Sequence, residues 1–108
     1  MGKEENKVED FLNDEVKGLG GFTRKFAYIG RRGGADRIVF LYGTIFLVEV
    51  KTAKGKESTL QTRERRRIRA TGARAHVVYG KEGVDQLLYD LQVLEEAYDT
   101  LQTHGAQL

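Results

Sequence analysis

Asp36, Glu49 and Lys51 are residue types that together could bind a cation and handle a proton. They lie at the outer ends of two apolar, β-branched runs, Arg37 to Leu41 and Thr44 to Val50, which Tyr42-Gly43 separates. Such runs around a two-residue, glycine-containing break predict a β-hairpin. With that turn, Leu41 faces Thr44 and Asp36 faces Glu49. Directly opposed residues project to the same face, about 5 Å apart at Cβ, and Lys51, two residues past Glu49, shares it. A slip of one residue would undo the pairing.

Two carboxylates so close repel each other unless a cation lies between them. Their hard oxygens suit Mg²⁺ or Mn²⁺, with water and a substrate phosphate as further ligands. A metal held there polarises a phosphodiester and lowers the pKa of bound water. The Lys51 ammonium is then placed to orient the attacking water or to stabilise charge developing on phosphorus. The plain alternative is a solvent-facing charge pattern, with Glu49 beside Lys51 and Asp36 beside Arg37.

The elements that must position these residues follow from hydrophobic spacing. Val8, Phe11, Leu12, Val16 and Leu19 recur at helical steps over residues 3 to 17, before Gly18 and Gly20-Gly21. Phe22 to Ile29 alternates imperfectly and predicts a strand, and Gly30 to Ala35 is a glycine-rich loop carrying Arg31 and Arg32. After the hairpin, Ser58 with Gln61 three positions on forms a capping-box pattern for a helix over about 59 to 71, ending at Gly72. Ala75 to Tyr79 predicts a short buried strand. Val84, Leu87, Leu88, Leu91, Leu94, Tyr98 and Leu101 then trace one stripe of a helix over about 83 to 102. The order α-β-β-β-α-β-α predicts an α/β fold, a small mixed β-sheet with flanking helices, as a single domain over 1–108. The strand at 75 to 79 runs parallel to a hairpin strand, because a helix joins them.

Charge is arranged more tellingly than the net +2 indicates. Residues 1 to 17 carry −3, 18 to 53 carry +4, 54 to 74 carry +6 and 81 to 108 carry −5. A basic centre suits a polyanion such as DNA, although a solvated charged face would look the same. Arg31 and Arg32 stand next to the acidic site, Arg63, Arg66 and Arg67 lie on the basic helix, and Lys25 reaches toward the cleft from the first strand. His76 and His104 are read as structural, and no Ser-His-Asp set or phosphate-cradling loop appears. Absent cysteine excludes disulfides and thiolate metal sites. No apolar run approaches the roughly 20 residues of a membrane span, and the polar N-terminal stretch does not read as a signal peptide. The expectation is a cytoplasmic protein of a bacterial or phage-infected cell. The near-heptad leucine spacing of the last helix also permits a homodimer interface.

The runs G-G-A-D-R-I-V-F (Gly33 to Phe40), F-L-V-E-V-K (Phe46 to Lys51) and S-T-L-Q (Ser58 to Gln61) together resemble the VRR-NUC family of the PD-(D/E)xK nuclease superfamily. The resemblance covers roughly residues 5 to 80. It implies a restriction-endonuclease-like core, with Asp36 and Glu49 as metal-binding carboxylates, the Val50 carbonyl as a further ligand and Lys51 as the catalytic lysine. It also implies that Gln61 stands beside the active site and that a first-helix glutamate completes it, with Glu9 the preferred match and Glu15 the alternate. One departure is Ala35, where family members carry proline. The implied activity is Mg²⁺- or Mn²⁺-dependent endonucleolytic cleavage of DNA, branched or flap in form, by a homodimer. The alternative is a non-catalytic nucleic-acid-binding module that uses the arginine-rich helix.

Overall fold

The computed structural model describes residues 2–26 and 37–103. The element order is α1 (Lys3–Gly18), β1 (Phe22–Lys25), β2 (Arg37–Leu41), β3 (Thr44–Lys51), α2 (Thr59–Ala70), β4 (Ala75–Tyr79) and α3 (Gly80–Thr103). This is the predicted α-β-β-β-α-β-α order. The strands form one mixed sheet in the order β1-β2-β3-β4, antiparallel except for β4, which runs parallel to β3.

The hairpin turn sets the register. Tyr42 and Gly43 have φ of 53° and 72°, the paired left-handed conformation of a type I′ turn, whose twist matches that of the strands. Leu41 therefore pairs with Thr44, and the ladder continues to Arg37 opposite Val48. Alternation then sorts β3 into two faces. Phe46, Val48 and Val50 point to one side and are buried with Val39 and Leu41 of β2, Val8, Leu12 and Val16 of α1, and Val84, Leu88 and Leu91 of α3. Ile45, Leu47, Glu49 and Lys51 point to the other side, where α2 packs against β4. Among the described residues Phe46 is the largest fully buried side chain, and truncating a core phenylalanine costs about 3–5 kcal/mol.

Two expected boundaries shift, and one apolar stripe is only partly buried. β1 ends at Lys25, with Phe26 outside the strand, and residues 27 to 29 of the expected strand lie outside the described residues. α3 begins at Gly80, whose φ of 66° redirects the chain out of β4. Leu94, placed in the apolar stripe by spacing, is 56% exposed. A helix of 24 residues is about 36 Å long, whereas a five-residue strand such as β4 spans about 17 Å. Leu94 borders the hairpin turn at Tyr42 to Thr44, at the margin of the sheet and not over its middle. Tyr98 and Leu101 lie outside the described side chains.

Candidate active site

Glu49 lies near the C-terminal end of β3 and is only 4% exposed. A carboxylate buried to that degree is tolerated only with partners. Two reach the same oxygen: the Gln61 Nε2 donates to Glu49 Oε2 at 2.9 Å, and the Lys51 Nζ lies 3.8 Å from it. Lys51 is itself largely buried, with 14% of its side chain exposed. It is on this face because strand alternation puts residues two apart together.

Gln61 is aimed at Glu49 by its own helix cap. Ser58 caps α2 by accepting a hydrogen bond from the Gln61 N–H at 3.1 Å, while the Ser58 N–H donates to Gln61 Oε1 at 2.8 Å. With the carbonyl end of the amide engaged by the cap, the NH₂ end points at Glu49. The predicted capping box and the predicted placement beside the acid are thus two ends of one side chain.

The segment before α2 is fastened by Glu57. Its carboxylate accepts from Arg65 Nη2 at 2.8 Å, Arg65 Nε at 3.0 Å and the Thr62 hydroxyl at 3.1 Å. The Arg65 hydrogen bond holds the Glu57 carboxyl below its ordinary range, and Glu57 in turn raises Arg65. Arg65 is therefore committed to structure. Arg63, Arg66 and Arg67 instead line one groove with Glu57, Thr59, Thr62 and Ala70, at the three- and four-residue steps that mark one side of a helix.

Glu9 has a different setting. It is 3% exposed and accepts from Arg37 Nε at 2.7 Å, with Lys25 Nζ at 3.7 Å. Arg37 shares its strand face with the buried Val39 and Leu41, so Glu9 and Glu49 approach the hairpin from opposite sides of the sheet. Glu15 is exposed and lines a shallow groove with Tyr89 of α3. Lys25 accompanies Glu9 and not Glu49. Asp36, Arg31 and Arg32 lie outside the described residues.

Arg37 and Glu57 were not singled out by sequence reasoning, yet each fastens a segment that flanks the site. A usable signal existed for the first: Glu9 occupies the inward stripe of α1 between Val8 and Leu12, and an inward carboxylate demands a cation.

The donor chemistry at Glu49 suits a hard divalent cation, a buried carboxylate with an ammonium alongside. Among the described residues, no three ligating side chains gather in one place, so a cation held here would need further ligands from elsewhere in the chain, from backbone, or from water.

No family model matches the chain. The chain is 42% identical over 69 residues to "Putative nuclease p44" of Acyrthosiphon pisum secondary endosymbiont phage 1, a stretch that is 63% of this chain and 74% of the phage protein. A solved structure described as "VRR_NUC domain" superposes with a TM-score of 0.74 at 34% identity, over 82% of this chain and 97% of that one. Similarity this extensive, in sequence and in fold together, shows that the chain belongs to the VRR_NUC domain family.

Proposed function

We propose that this protein is a metal-dependent DNA endonuclease whose active site is built on Glu49, Lys51 and Asp36. The observation that carries this reading is the buried Glu49 carboxylate with Lys51 and Gln61 both directed at one of its oxygens. Membership of the family and the name of the phage relative support it. Asp36, the residue before Arg37 in sequence, is the proposed second carboxylate. The Val50 carbonyl is the proposed backbone ligand.

Mg²⁺ or Mn²⁺, when bound, supplies a polarised phosphodiester and a water of lowered pKa. Glu49 holds the cation, and Gln61 fixes which way the carboxylate is turned. Lys51 holds a proton on Nζ within reach of the substrate phosphate and stabilises negative charge gathering there. The burial of both side chains excludes water and strengthens these interactions. Glu9 supports the site from the other face by holding Arg37, the residue next to Asp36. Arg63, Arg66 and Arg67 line the α2 groove that takes the phosphate backbone, together with Arg31 and Arg32 from the loop.

The exposed Tyr89, Val93 and Leu94 of α3 support a homodimer, and two paired active sites suit a branched substrate. The test is incubation of pure protein with linear, flap and four-way-junction DNA, with and without Mg²⁺ or Mn²⁺. Cutting that requires the metal and is abolished in Glu49→Ala and Lys51→Ala is expected. Undiminished cutting by either variant overturns the assignment. Salt-sensitive binding with no cleavage of any DNA identifies a binding module instead.

A further inference from the structure

The sheet face that carries Glu49 is covered by α2 over β4 and, among the described residues, turns apolar and exposed toward Ile45 of β3 and Phe22 of β1. There Phe22 and Phe40 pair across the strands with their rings stacked 4.8 Å apart and 21° from parallel. Phe40 in turn pairs with Ile45. Phe22 is 44% exposed and Ile45 62%, so the row Phe22–Phe40–Ile45 is an apolar strip facing solvent. The guanidinium of Arg24, two residues along the same strand face, lies 4.6 Å from the centroid of the Phe22 ring. Ile45 precedes Glu49 by four residues, so the row lies about 13 Å along the strand from the proposed cleavage site, a few nucleotides away.

Two aromatic rings and a guanidinium on one sheet face have the chemistry that takes unpaired bases: π-faces for stacking, and a cation for the adjoining phosphate. Double-stranded DNA keeps its bases inside and cannot use them. A second copy of this chain is disfavoured as the occupant, because it would set Arg24 against Arg24 or cover the face that Glu49 shares. We infer that Phe22, Phe40 and Arg24 form a platform on which the unpaired bases of a single-stranded segment stack beside the active site. The inference rests on the proposed nuclease reading and names the residues that take the unpaired part of its substrate.

The test is fluorescence anisotropy with labelled oligothymidine and with a blunt duplex, both in EDTA so that no strand is cut. Phe22→Ala is expected to weaken oligothymidine binding about tenfold while leaving duplex binding unchanged. Phe22→Leu, which keeps apolar bulk without a π-face, is expected to behave like Phe22→Ala, and Phe22→Trp to restore affinity. Equal binding of oligothymidine by wild type and Phe22→Ala overturns the platform. So does full rescue by leucine, or a wild-type dimer that becomes a monomer in Phe22→Ala with single-strand affinity intact. Because no cleavage is read, wild-type protein that cuts no DNA in Mg²⁺ or Mn²⁺ defeats the nuclease reading alone. Wild-type protein that cuts while Phe22→Ala still binds normally defeats the platform alone.

Discussion

The side-chain amide of Gln61 is shared between the N-terminus of α2 and Glu49: its Oε1 accepts from the Ser58 N–H at 2.8 Å and its Nε2 donates to Glu49 Oε2 at 2.9 Å. Helix formation and orientation of the acid are thereby coupled. Two variants separate them. Ser58→Ala removes only the hydroxyl acceptor of the Gln61 N–H and should lower stability by about 0.5–2 kcal/mol, with cleavage retained. Gln61→Ala should lower stability comparably and also slow cleavage, since the amide donor that orients Glu49 is then gone. Urea unfolding beside a cleavage assay distinguishes the two; a normal cleavage rate in Gln61→Ala would show that the amide serves the helix alone.

Glu9 and Arg37 form a largely buried ion pair at 2.7 Å. Removing one partner strands the other charge, which costs about 3–5 kcal/mol. Glu9→Ala should therefore lower the urea midpoint sharply. Glu15→Ala, at an exposed position of the same helix, should change stability by less than about 0.5 kcal/mol. Equal midpoints for the two variants would contradict the assignment of Glu9 to Arg37.

His76 meets the Phe46 ring edge-on at 5.6 Å, and its buried Nε2 has no hydrogen-bond partner among the described residues. Burial lowers its pKa below the ordinary 6.5, and Arg69, Arg74 and Arg65 add to the effect. A depressed folded-state value means that the unfolded chain binds the proton first. Its contribution to stability is complete above the unfolded pKa near 6.5 and is lost as pH falls through the lower folded value. Thermal melts of wild type should fall in this acid range, whereas His76→Leu should show a shallower dependence below about pH 6.5. Identical profiles would place the acid sensitivity elsewhere.

Gly21 joins α1 to β1, and a Cβ there would run into the Phe40 carbonyl oxygen, with Leu41 Cδ1 at 2.9 Å and Val16 Cγ1 at 3.0 Å. The backbone oxygen cannot move aside, so the edge strand would have to shift. Gly21→Ala should cost about 1–3 kcal/mol, whereas Gly18→Ala, at a position with open space, should be neutral or stabilising. Chemical denaturation of the pair checks this.

Legibility in the sequence followed the range of the forces involved. Tyr42-Gly43 allowed one turn type, and that turn fixed which residue of β2 faces which residue of β3. Ser58 and Gln61 announced the helix start because a cap is a contact over three residues. The partnerships of Glu9 with Arg37, 28 positions apart, and of Glu57 with Arg65 depend on how elements pack, and no local spacing encodes them. The arginines of α2 looked alike in sequence, yet packing assigns Arg65 to Glu57 and gives Arg63, Arg66 and Arg67 a groove. The apolar stripe of α3 overran its true core because periodicity records a helix face and not where the sheet ends.

The central claim is that Glu49 binds a divalent cation. Isothermal titration of Mn²⁺ into the protein without DNA tests it most directly. The account predicts saturable binding by wild type, retained in Lys51→Met and lost in Glu49→Gln, whose amide preserves shape without charge. Undiminished Mn²⁺ affinity in folded Glu49→Gln would contradict it.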